Sequence, residues 1–124
     1  MSRKELPLVG QAGCCTPLAA APLSEDDATE LARGFRALGD PVRLRLLSLI
    51  ASFAGGEACV CDLTDAFDLT GPTISHHLRV LRETGLVESE RRGTWVYYKV
   101  VPEKLASLSV LLQVPEATLT ATPA

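Results

Sequence analysis

The chain has 124 residues, with 12 Lys and Arg against 15 Asp and Glu and a formal net charge of −3. That length suits one small domain, and the acidic balance excludes a generally basic nucleic-acid binder. No apolar run approaches the roughly 20 residues that span a bilayer, and the patch after Arg3 and Lys4 is broken by Pro7, so neither a membrane segment nor a secretory leader is expected.

The expected setting is therefore the cytoplasm, where thiols stay reduced. The four cysteines then read as ligands or sensors rather than as a disulfide framework. Residues 1–23 are rich in Ala, Pro, Gly and Leu without a period. They read as a flexible arm that carries Cys14-Cys15 between Gly13 and Pro17.

Ser24 opens the first good helix. Glu25, Asp26 and Asp27 crowd its first turn, where the helix dipole favours negative charge. Leu31, Phe35 and Leu38 form its apolar stripe, and Gly39 ends it. Asp40-Pro41 starts a second helix at once, with Asp as cap and Pro at the first position. Val42, Leu44, Leu46, Leu47, Leu49 and Ile50 make this helix apolar on more than one face, as a central core helix would be. Arg43 and Arg45 interrupt that pattern and read as solvated or paired side chains before phosphate contacts. Gly55-Gly56 close the segment.

Ala58-Cys59-Val60 can be extended. A short helix is expected from Asp62 to about Asp68, with Leu63, Ala66 and Phe67 inward. Leu69-Thr70-Gly71 then connects tightly into TGPTISHHLRVLRETGL, the stretch from Thr70 to Leu86. Thr70 or Gly71 serves as its cap, Pro72 sits in the first turn, and Gly85 supplies the left-handed stop. Ile74, Leu78 and Leu81 make one narrow apolar stripe. The other faces carry Thr73, Ser75, His76, His77, Arg79 and Arg82, with no carboxylate before Glu83. Such residues can reach phosphates and base edges. Two short helices in tight succession, the second polar outside, form the helix-turn-helix pattern.

Beyond Gly85 the period changes. Leu86 to Arg91 and Thr94 to Val100 are strand-like runs around an Arg92-Gly93 turn. Val96, Tyr98 and Val100 share the face assigned to the core, and Arg91, Arg92 and Thr94 sit at the tip. A basic hairpin after such a helix is a wing that can touch the DNA backbone or minor groove. From Gly71 to Lys99 the net charge is +2, so the rest of the chain carries −5. That local basicity is the electrostatic footprint DNA binding requires. Pro102 begins a last helix with Leu105, Leu108, Leu111 and Leu112 on one side. The expected use of that stripe is a dimer interface built with the first helix, because about 90 core residues bury only a modest core alone. Residues 114–124 read as a loose tail, leaving 24–113 as one DNA-binding and dimerisation domain.

The fold class expected is mainly α with a β-hairpin wing. In its motifs the chain resembles the winged helix-turn-helix repressors of the ArsR/SmtB family of metal and metalloid sensors. The residues that carry the resemblance are Ala37-Leu38-Gly39-Asp40-Pro41-Val42-Arg43, Cys59-Val60-Cys61-Asp62-Leu63, Pro72-Thr73-Ile74-Ser75-His76-His77-Leu78 and Gly85-Leu86-Val87 with the wing. The resemblance covers roughly Ser24 to Gln113. It implies a homodimer on an inverted-repeat operator, released when a metal or metalloid binds. Carried onto matching positions, Thr73, Ser75, His76 and Arg79 are the DNA contacts of the helix, and Arg91 and Arg92 those of the wing. Gly71 stands where the family commonly has Gln, so one base contact is lost.

The resemblance does not name the inducer. A zinc site of His and carboxylates on the last helix looks absent, because both histidines lie in the recognition helix. Cys59 and Cys61 resemble the family's Cys-Val-Cys sensing motif, but the third cysteine common in arsenic sensors is replaced by Thr64. Cys14 and Cys15 can complete the set from the same chain or its partner. Arsenite or antimonite takes three thiolates in a pyramid; cadmium, lead or zinc can use four. Adjacent cysteines close a four-sulfur tetrahedron with more strain, which favours arsenite. A thiol redox sensor on the same scaffold is the competing reading, and a metal-buffering protein a further one. No Cys-X-X-Cys or nucleotide-binding glycine pattern supports an enzyme.

Overall fold

The computed structural model describes residues 17–114. The expected arm cysteines, Cys14 and Cys15, and nearly all of the expected tail lie outside the described residues. The described residues divide into two compact units, residues 33–102 and residues 17–32 with 103–114.

Among the described residues, five α-helices, a 3-10 turn at Ala54–Gly56 and three strands occur: α1 (Glu25–Leu38), α2 (Pro41–Ser52), β1 (Glu57–Cys59), α3 (Val60–Ala66), α4 (Gly71–Glu83), β2 (Val87–Arg92), β3 (Trp95–Val100) and α5 (Pro102–Leu111). The caps explain most boundaries. Ser24 Oγ accepts from the Asp27 N–H at 3.0 Å ahead of α1. Asp40 accepts from the N–H groups of Val42 and Arg43 at 2.9 and 3.2 Å, with Pro41 in the first turn. These bonds, the Arg43 N–H foremost, hold the Asp40 carboxyl below its ordinary range. Of the two caps expected for α4, Thr70 fills the role, its hydroxyl accepting from the Thr73 N–H at 3.3 Å.

Gly85 stops α4 with φ 82°. Its N–H bonds the Arg82 carbonyl, and the Leu86 N–H reaches back to the Leu81 carbonyl, each at 3.0 Å. This pair of bonds is the Schellman stop, which satisfies carbonyls the helix end would otherwise leave open.

In the unit of residues 33–102, the core gathers Leu46, Leu47 and Ile50 of α2, Leu63 of α3, and Ile74, Leu78 and Leu81 of α4. Leu86, Val87, Ala58 and Tyr98 add the sheet side. Leu44, expected inside, is half exposed at 52%. Ala66 of α3, also expected inside, is exposed. The sheet has three strands rather than the two of the expected hairpin, in antiparallel order β1-β3-β2. β1 pairs Glu57, Ala58 and Cys59 with Lys99, Tyr98 and Tyr97. The wing pairing runs from Val87↔Val100 to Arg92↔Trp95. The two-residue loop is thus Gly93-Thr94, one position beyond the expected turn, with Gly93 at φ 66°. α3 starts at Val60, two residues before the expected Asp62, because Cys59 is its cap.

In the other unit, Leu31 of α1 and Leu108 and Leu111 of α5 are buried. The Leu18 N–H donates to the Leu111 carbonyl at 2.8 Å, and Lys104 pairs with Glu30 at 3.1 Å. Leu105 is half-buried and Leu112 exposed. No described helix is long and apolar enough to cross a membrane.

Candidate nucleic-acid interface and thiol site

α4 buries Ile74, Leu78 and Leu81 and leaves Thr73, Ser75, His76 and Arg79 exposed. The four candidate contacts therefore share the uncovered part of one helix, as the stripe predicts. The Thr73 hydroxyl meets that of Thr70 at 2.8 Å, and Arg79 Nη2 lies 3.4 Å from His76 Nδ1. The latter is a long contact that either side chain can exchange for a nucleic-acid partner.

His77 is different from its neighbour. It is half-buried, and Arg43 Nη1 reaches its Nδ1 at 3.3 Å. A guanidinium only donates, so this contact is a hydrogen bond in the tautomer that leaves Nδ1 unprotonated. Arg43 Nε also donates to the Ala37 carbonyl at 2.6 Å, and Nη2 to that of Arg36 at 3.4 Å. One side chain thus caps the end of α1 and touches α4 from behind. The interruption of the apolar pattern at Arg43 was the only sequence signal for this bracket.

The two wing arginines are not equivalent. Side chains alternate between faces of a strand, and the register puts Arg91 opposite Val96 and Arg92 opposite Trp95. Arg91 shares the face of Val87, Val96 and Tyr98, while Arg92 lies on the opposite face. There Arg92 donates from Nη2 and Nη1 to Glu57 (2.8 and 3.1 Å) and from Nη2 to Glu90 at 2.9 Å. Its guanidinium also stacks 4.4 Å from the centroid of the Tyr97 ring. Hydrogen bonds from Arg92 lower both carboxyl pKa values below the ordinary range, and those of Glu57 and Glu90 raise that of Arg92. The charge of Arg92 is therefore answered within the chain.

Cys59 closes β1 and caps α3, its Sγ accepting from the Cys61 N–H at 3.2 Å. Cys59 is 4% exposed, whereas Cys61 is exposed. Where the sequence led us to expect two free thiols, the structure joins Cys59 and Cys61 as a disulfide. The reason is local: the strand-to-helix junction turns the chain so that the two Cα atoms lie 5.2 Å apart, within the usual span of a cystine.

Beside the pair opens a cleft of about 440 Å³ walled by Val60, Ser75, Trp95, Val96 and Tyr98. It brings the cysteines, α4 and the wing strand to one place, a juxtaposition no linear spacing announces. Among the described residues, no three His, Cys, Asp or Glu side chains converge as a metal site would require.

Residues 40–89 match the family model described as the bacterial regulatory protein, arsR family. An uncharacterized HTH-type transcriptional regulator of Methanocaldococcus jannaschii is 40% identical over 63% of this chain and 85% of its own length. The arsenic resistance transcriptional regulator ArsR2 of Pseudomonas putida is 44% identical over 64% of this chain and 68% of its own. Among solved structures, the homodimeric winged helix-turn-helix DNA-binding domain of a possible ArsR-family regulator from Mycobacterium bovis superposes with TM-score 0.58. It is 35% identical and covers 71% of this chain and 82% of that one.

Proposed function

The chain belongs to the ArsR/SmtB family of transcriptional repressors, and from that premise we propose that it represses an operator as a homodimer and leaves it when arsenite or antimonite binds its thiolates. It is a DNA-binding regulator and not an enzyme. In this reading residues 24–113 form the DNA-binding and dimerisation domain, 1–23 an arm bearing Cys14 and Cys15, and 114–124 a tail, all in the cytoplasm. Two copies of α4 lie about 34 Å apart, one turn of DNA, and read an inverted repeat. Thr73, Ser75 and His76 meet base edges, and Arg79 and Arg91 meet phosphates.

One observation carries the sensing role. Cys59-Val60-Cys61 opens α3, the helix that leads directly into α4, and shares a cleft with Ser75. A thiolate at a helix N-terminus is stabilised and so available to a soft ion. Two sulfurs fall one short of the arsenite pyramid, and Cys14 or Cys15 supplies the third. Capture then draws α3 toward the arm and spoils the spacing of the reading helices. The coupling needed is modest, about 1–3 kcal/mol, or 5–150-fold in operator affinity.

The test is operator binding by fluorescence anisotropy, with the chain reduced. Ligand-free protein should prefer an inverted-repeat duplex to random DNA, and arsenite should release it. Cys14→Ser/Cys15→Ser should keep operator binding and lose that release. Full release from the double variant refutes the arm's role. Release by cadmium and not by arsenite makes the site a four-thiolate metal sensor, and release by peroxide alone makes it a redox sensor.

A further inference from the structure

We propose that Trp95 is a DNA-contact residue of the wing, its indole packing on the deoxyribose edge of the minor groove rather than on phosphate or between bases. The inference rests on the DNA-binding role given above and on no part of the sensing role. It adds an apolar contact to a surface so far described by its hydroxyls, imidazole and cations.

Exposure is the first observation. Among the described residues six large apolar side chains are exposed, and Trp95 alone is aromatic, at 55%. Leu18, Leu112 and Val114 belong to the unit of α1 and α5, where the dimer interface is expected. Trp95 stands at the outer end of the wing, directly after the Gly93-Thr94 loop. A single exposed apolar residue is ordinary by itself. What marks this one is that its own cover is drawn away. The register sets Arg92 opposite Trp95, and a cross-strand arginine over an indole is a favourable pair. The Arg92 guanidinium instead lies 4.4 Å from the centroid of the Tyr97 ring and donates to Glu57 and Glu90. The same clamp that holds the arginine over the central strand leaves the indole open.

Charge then narrows what the indole meets. With Arg92 engaged by two carboxylates, the cation next to Trp95 is not offered to a phosphate. Arg91, on the other face of β2, is exposed and keeps that role. The end of the wing thus presents a cation on one face and a bare ring on the other. Deoxyribose is the apolar part of the DNA backbone, and a flat indole buries area against it without needing a hydrogen bond. Thr94 and Trp95 also border the cleft that Ser75 of α4 lines. The ring is therefore continuous with the surface that reads DNA.

The probe is a fluorescein-labelled random-sequence duplex at low salt, because a sugar contact does not depend on base sequence. The full-length reduced chain is followed by anisotropy of the label and by emission of its single tryptophan. On binding, the emission should move to shorter wavelength and become less accessible to acrylamide. Trp95→Ala should weaken binding about tenfold while the slope of log affinity against log salt stays as in the wild type. That unchanged slope shows the phosphate contacts still in place, so collapse of the wing is not the cause. Trp95→Phe, which keeps an apolar ring, should recover most of the loss. Full acrylamide access in the complex, an affinity of Trp95→Ala within about twofold of wild type, or a slope reduced by about 0.9 would overturn the proposal. Near-complete quenching of the emission marks a ring wedged between bases and overturns the sugar contact equally. Failure of the DNA-binding reading looks different: the unsubstituted chain then gives no anisotropy change at all, and both readings fall.

Discussion

Replacing Arg43 by Met tests whether this arginine is a bracket or a phosphate contact. It removes the charged fork while keeping a long apolar stem. Three contacts go, but they are unequal. The bond to the Ala37 carbonyl is short at 2.6 Å, whereas those to Arg36 and His77 are 3.4 and 3.3 Å, beyond the usual N–H···O range. One charge-assisted bond therefore dominates, worth about 1.5–3 kcal/mol. Arg43 is only half-buried, so water replaces part of the loss and the low end applies, about 1.5 kcal/mol. For a domain of this size that lowers Tm by roughly 6–12 °C. The assay is thermal unfolding by circular dichroism at fixed chain concentration, since the proposed dimerisation would make Tm concentration-dependent.

A second readout on the same variant separates the roles. If Arg43 only braces the end of α1 against α4, the slope of log operator affinity against log salt stays as in the wild type. A phosphate contact would reduce it by about 0.9. Arg43→Lys should not restore stability, because an ammonium cannot fork between two carbonyls and an imidazole. Coupling between Arg43→Met and His77→Ala should stay under about 0.5 kcal/mol, given the length of that contact. A Tm change below about 2 °C, or a reduced salt slope, refutes the bracket.

The wing arginines give a matched comparison: Arg91→Ala should reduce the salt slope of operator binding by about 0.9, while Arg92→Ala, whose partners are Glu57 and Glu90, should leave it nearly unchanged. Equal slopes for the two variants would contradict the register-based assignment. In pH titration by carboxyl NMR, Glu57 and Glu90 should protonate below the ordinary carboxylate range and move back up in Arg92→Gln. Because their folded pKa values are depressed, the stabilisation they supply is present above the unfolded value and is lost as pH falls through the lowered folded values. Thermal stability should therefore be insensitive to this cluster near neutrality and fall only in acid; a loss that begins on raising the pH would contradict the sign.

Much of this fold is written in short-range signals. Ser24, Asp40 and Thr70 are caps because a side-chain oxygen two or three residues upstream of an open N–H satisfies it locally. Pro41, Pro72 and Gly85 act through their own backbone preferences. The stripe Ile74, Leu78, Leu81 is buried as its spacing requires. The family follows from the same motifs, since they lie within contiguous segments.

What escaped the linear reading involves partners far apart in the chain. β1 is three residues long, too short for a period; it is a strand because the free edge of β3 offers it hydrogen-bond partners. Its position also moves the start of α3, by making Cys59 the cap. Alternation alone puts Arg92 beside Glu90, but Glu57 lies 35 residues away. Without it the guanidinium looks available for phosphate. The same holds for Arg43, whose contact to His77 spans 34 residues.

Local chemistry therefore settled which segments are helices, where α1 and α4 stop and which face of α4 stays uncovered, because each of those decisions is made within one turn of backbone. Folding settled which charges are already answered and what surrounds the thiols. Those outcomes depend on side chains that meet only when β1 pairs with β3 and α4 packs near the wing: Arg92 is engaged, Arg43 is a brace, and Cys59 and Cys61 open onto a cleft with Ser75 and Trp95.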